Sequence, residues 1–91
     1  MSLFWENIDI IEAQLDKIVD SGSDDELFIA SYFHGHFSLA VSRVPELNEA
    51  NDEKMAHLRQ ILTHNLTEAF ANRELDDADQ HKIWALFERL V

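Results

Sequence analysis

Asp25, Tyr32 and His36 are the residues of this 91-residue chain whose types and spacing best suit chemistry. A carboxylate, a phenol and an imidazole that converge can hold a polar ligand or move a proton. Tyr32 and His36 are four apart, so on a helix they share a face. Asp25 lies on the same column, seven residues before Tyr32. A structural reading accounts for the same three residues. Tyr32 buries its ring and bonds its hydroxyl at a rim, His36 bonds a carbonyl of a neighbouring helix, and Asp25 serves a helix start. The structural reading has the greater weight, because buried polar groups usually have structural partners.

Five histidines raise the question of a metal. His34 and His36 are two apart and point to nearly opposite sides of a helix. His57 and His64 share a face with Glu53, Gln60 and Glu68, opposite Leu58 and Leu62, which makes it a solvent stripe. No Glu-x-x-His pair, HExxH, EF-hand loop or phosphate loop occurs. Two glycines cannot build a Gly-rich cradle, and the absence of cysteine removes thiolate ligands, thiol nucleophiles and disulfides together. There is no nucleophile elbow. The acid pairs Asp24-Asp25 and Asp76-Asp77 suit capping and the helix dipole. The expectation is no metal, no cofactor and no catalytic residue.

Four amphipathic segments must position these side chains. Phe4, Ile8, Ile11, Leu15 and Ile18 form a stripe at 4-3-4-3 spacing, and Gly22 is expected as a left-handed stop just beyond it. Ser23-Asp24-Asp25-Glu26 reads as a capping box that opens a second helix, which Pro45 ends. Met55, Leu58, Ile61, Leu62, Leu66, Ala69 and Phe70 mark a third, with Asn72 as its left-handed end. Asp76 caps a fourth, carrying Ile83, Trp84, Leu86, Phe87 and Leu90. The helices fall at about 3–20, 24–44, 52–71 and 77–90, and Pro45 to Asn51 is the longest loop. The prediction is all-α: an up-and-down four-helix bundle in a single domain. A three-helix core with a loosely attached end helix is the alternative.

The second segment is the central one, apolar on most sides. Leu27, Ala30, Phe33, Phe37, Val41 and Val44 are its expected core face. Ser31, Gly35, Ser38 and Ser42 make a narrow seam of small residues, expected to let another helix approach closely. Trp5 and Trp84 are expected to close the ends of the bundle.

Eighteen acids against seven Lys and Arg give a formal charge of -11. Such a chain repels phosphate backbones and anionic lipid, so neither nucleic acid nor membrane is an expected partner. No apolar run nears the ~20 residues of a spanning helix. The first residues lack the basic start and long apolar stretch of a secretory signal, which points to the cytoplasm.

Ser23-Asp24-Asp25-Glu26-Leu27-Phe28, then Tyr32, Gly35-His36 and Leu39-Ala40, resemble the YfcL family of small acidic bacterial proteins. Glu74-Leu75, Asp79-Gln80, Trp84 and Phe87 extend the likeness toward the C-terminus. The resemblance implies an all-helical cytoplasmic protein and brings no catalytic residue with it. Two functions follow from the whole. The first is a non-enzymatic module that docks a cytoplasmic protein, with a basic partner suited to the acidic surface and a homodimer as a variant. The second is a small-ligand binder or enzyme built on Asp25, Tyr32 and His36.

Overall fold

The computed structural model describes residues 3–44 and 51–91. The expected loop from Pro45 falls outside them. Among the described residues there are four helices and no strand: α1 (Leu3–Ser21), α2 (Asp24–Arg43), α3 (Asn51–Ala71) and α4 (Asp77–Leu90). They form an all-α, up-and-down four-helix bundle, flattened to 39 × 30 × 17 Å over its Cα atoms. α2 runs unbroken through Gly35 and packs against all three other helices. α1 also meets α3, whereas α1 and α4 touch only at isolated points.

The amphipathic stripes explain the packing. Phe4, Ile8, Ile11 and Leu15 of α1 are buried, as are Met55, Leu58, Leu62, Leu66, Ala69 and Phe70 of α3. Ile83 and Leu86 fill the inner side of α4. On α2 the buried face is Ile29, Ala30, Phe33, Phe37, Ala40 and Val44. That face is rotated from the predicted one: Leu27 stands 39% exposed, and Ile29 and Ala40 take up the core. α2 is apolar nearly all round, so spacing alone gives its inward direction poorly.

Side-chain caps fix where α2 and α4 begin. The Glu26 N–H donates to Ser23 Oγ and the Ser23 N–H donates to Glu26 Oε1, both at 3.2 Å, which completes the capping box. Asp76 Oδ1 accepts the Asp79 N–H at 2.9 Å. Val44 turns extended at φ -68, ψ 128, the conformation a residue before proline prefers.

Three local expectations are corrected. Gly22 is not left-handed, since no glycine has positive φ. The left-handed residue after α3 is Arg73 (φ 59), not Asn72. Trp5 does not close an end of the bundle; it is 48% exposed and rests edge-on against Phe4.

The small-residue seam is corrected as well. Ser31, Gly35, Ser38 and Ser42 are all exposed, and a Cβ at Gly35 would meet nothing within 4 Å. No helix of this chain uses the seam. Gly35→Ala should therefore stabilise the fold by about 0.5–1 kcal/mol, the helix-interior cost of glycine. Urea melts of both proteins test this. A loss instead of a gain would mean that another helix packs against Gly35.

Candidate functional site

Tyr32 and His36 come together on α2. Their ring centroids are 4.8 Å apart, and Tyr32 also stacks on Phe70 of α3 at 6.4 Å and 19°. The Tyr32 hydroxyl donates to Glu74 Oε1 at 2.8 Å. The turn after α3 holds Glu74 in place. With Arg73 left-handed, the Arg73 N–H donates to Phe70 O and the Glu74 N–H reaches back to Ala69 O. This is a Schellman arrangement, which satisfies carbonyls that the helix end leaves open.

Burial of Tyr32 pushes its phenol above the ordinary value of about 10, and the hydrogen bond to Glu74 and the charge of Glu74 push it further. A phenol held in this way is a poor proton donor at neutral pH. Its proton is bound more tightly in the folded chain than in the unfolded one. The resulting stability is complete below about pH 10 and is lost as pH rises toward the folded value. Lys82, raised by its hydrogen bond to Asp25, acts in the same direction. Tyr32 is the single tyrosine, so tyrosinate absorbance reads this site alone. Its titration should lie above that of free tyrosine. Tyr32→Phe should flatten the alkaline loss and cost about 0.5–1.5 kcal/mol at neutral pH.

Asp25 is not part of this cluster. Its Oδ2 accepts from Lys82 Nζ of α4 at 2.6 Å, at the edge of an apolar cleft of ≈ 300 Å³ floored by Ile29, Ala30 and Leu86. The column read from the sequence is thus divided between two partners. Glu74 takes Tyr32, with His36 beside it, and Lys82 takes Asp25.

One cluster was absent from the sequence reading. His34 Nε2 lies 3.7 Å from Glu12 Oε1 and 3.5 Å from Ser38 Oγ. A serine–histidine–carboxylate relay needs the serine and the acid on opposite ring nitrogens. Here both face the same nitrogen at an exposed position, so the trio is no relay. The i,i+4 spacing of His34 and Ser38 was a visible signal, whereas Glu12 arrives from another helix. On α3, Glu53, Gln60, His64 and Glu68 are exposed as expected of that face, with His57 half-buried, and His64 pairs with Glu68 at 3.2 Å in the open. Among the described residues no three His, Asp or Glu side chains gather where they could hold a metal.

A family model described as YfcL protein matches residues 6–91, nearly the whole chain. The chain belongs to the YfcL family. It is 34% identical over 80 residues to a protein of Escherichia coli (strain K12) named "Uncharacterized protein YfcL", covering 88% of this chain and 84% of that relative. No solved structure matches. The residues matched include both long-range pairs, Tyr32 with Glu74 of the turn after α3 and Asp25 with Lys82 of α4. No helix among the described residues is long and apolar enough to cross a membrane.

Proposed function

We propose that this chain is a non-enzymatic, cytoplasmic protein-interaction module. One observation carries the reading. Among the described residues, the large hydrophobic side chains that stand exposed are Leu3, Trp5, Ile10 and Val19 of α1 and Leu27, Phe28 and Leu39 of α2, with none on α3 or α4. Scattered exposure is ordinary, but its concentration on two adjacent helices, with Leu3 and Ile10 on one flank of α1 and Trp5 and Val19 on the other, supports contact with a partner along them. Covering a side chain of this size fully contributes about 1.5–3 kcal/mol. The surrounding charge of -11 steers partners with basic surface toward it.

Capture from a native lysate, compared between the chain and its Ile10→Glu and Phe28→Glu variants, tests the reading. Both side chains are exposed, so the fold should survive, which circular dichroism checks. The expected result is a partner lost from both variants. An unchanged capture profile sinks the proposal. Light scattering of the purified chain tests the homodimer variant.

A small-ligand role keeps support from one observation, the meeting of His36 and Tyr32 beside Glu74. It predicts capture or ligand binding that is lost in Tyr32→Ala and His36→Ala and kept in Ile10→Glu, which lies on α1 away from that cluster.

A further inference from the structure

We propose that the groove between α1 and α4 docks a short amphipathic helix whose apolar stripe is flanked by acidic side chains. This goes beyond the interaction reading: of the exposed apolar side chains that carry that reading only Ile10 lines the groove, and the groove's own charge calls for an acidic partner rather than a basic one. In a closed bundle the first and last helices lie side by side, but here α4 packs mainly on α2 and touches α1 and α3 only at isolated points, which leaves the α1 side open. Three clefts lie along the opening, of ≈ 400 Å³ near Ile10 and Leu90, ≈ 300 Å³ near Ile18 and Leu86, and ≈ 210 Å³ near Lys17 and Gly22. The α1 side runs from Asn7 to Ser21, roughly 21 Å at 1.5 Å per residue, which accommodates about four turns of a visiting helix.

The charge of this groove opposes that of the chain. α1 lines it with Asn7, Ile10, Ile11, Gln14, Lys17 and Ile18, and none of the acids of α1 is among them. α4 lines it with Lys82, Ala85, Leu86, Arg89 and Leu90, again without an acid. Arg59 joins from α3, so four of the seven basic side chains gather here. The lining acids are Asp25 and Glu26 of α2. Asp25 is bound to Lys82, and Glu26 is held in the capping box. Arg59 is bound twice to the Val91 backbone oxygen, at 3.0 and 2.7 Å. Lys17 and Arg89 flank the apolar floor with no ion pair among the described residues, so they are the cations an acidic flank would meet. A second copy is a poor occupant, because groove against groove sets these cations against their own kind.

The probes are two synthetic helical peptides of about four turns with leucine at i, i+3, i+4 and i+7, one flanked by glutamates and one by lysines. They are titrated into the full chain at ~0.15 M salt, where screening within about 8 Å mutes the repulsion from the distant acids. The glutamate peptide should shift the amide resonances of Ile10, Ile18, Leu86 and Arg89. Lys17→Glu with Arg89→Glu should weaken it about tenfold. Both positions are exposed, and Arg89→Gln is a milder variant expected to act in the same direction. A lysine peptide that binds the groove as tightly overturns the proposal, as do a footprint elsewhere or no footprint from either peptide. Each of those outcomes leaves the interaction reading to stand or fall on the lysate capture by the Phe28 variant, since Phe28 lies outside the groove whereas Ile10 lines it.

Discussion

Phe33→Ala is expected to cost about 3–5 kcal/mol, the usual range for removing a fully buried aromatic ring. A domain of this size has only about 5–15 kcal/mol in total, so this one side chain represents roughly a fifth or more of the fold's stability. Phe33 is 0% exposed, lies 6.0 Å from Phe37 at 18°, and takes the edge of Phe87 from α4 at 6.5 Å and 87°. Its loss removes contacts within α2 and between α2 and α4 together, and close packing leaves little scope for collapse into the gap. Leu27→Ala is the matched comparison. Helical spacing places Leu27 on the same apolar face, yet it stands 39% exposed and should cost about 1 kcal/mol or less. Urea titration separates the two, with the midpoint falling and the slope unchanged for Phe33→Ala. Equal losses at both positions would restore the face read from spacing and reject the rotated one.

That comparison marks where the sequence was legible. α1 and α3 each carry one regular apolar stripe, and every large residue of those stripes is buried or half-buried, although α1 also exposes Leu3, Trp5, Ile10 and Val19 outside its stripe. α2 carries apolar residues on most of its circumference, so the choice between Leu27 and Ile29 depended on the neighbouring helices. The same limit governs the candidate site. Capping by Ser23 and Asp76 is local and visible in the sequence, as is the meeting of Tyr32 and His36 one turn apart. The division of the column was not visible. It depends on Lys82 and Glu74, which lie 57 and 42 residues from the side chains they bind. Asn72 was the natural choice for a left-handed residue because asparagine tolerates that conformation well. The backbone instead places Arg73 there, one residue on, so that the Glu74 N–H reaches Ala69 O and the Glu74 carboxylate lies under the tyrosine.

Gly22→Ala is expected to destabilise the chain by about 1–3 kcal/mol, the cost of overpacking a fixed contact. A Cβ at Gly22 would lie 2.5 Å from Ile18 O and 3.0 Å from Glu26 Cβ. Neither neighbour can yield easily. Ile18 O is backbone and already accepts the Gly22 N–H at 2.8 Å, and Glu26 is held by its reciprocal bonds with Ser23. Glycine is therefore required here for space, so that α1 can end directly against the first turn of α2; handedness plays no part, since its φ is not positive. Alanine also restricts the unfolded chain, which offsets about 0.4–1 kcal/mol of the loss. Gly35→Ala has the opposite sign because the same methyl group enters open space. Melts of the two variants side by side thus separate the two uses of glycine in one chain. A gain at both positions would mean that the corner relaxes around the methyl group and that Gly22 is held by nothing more than helix propensity.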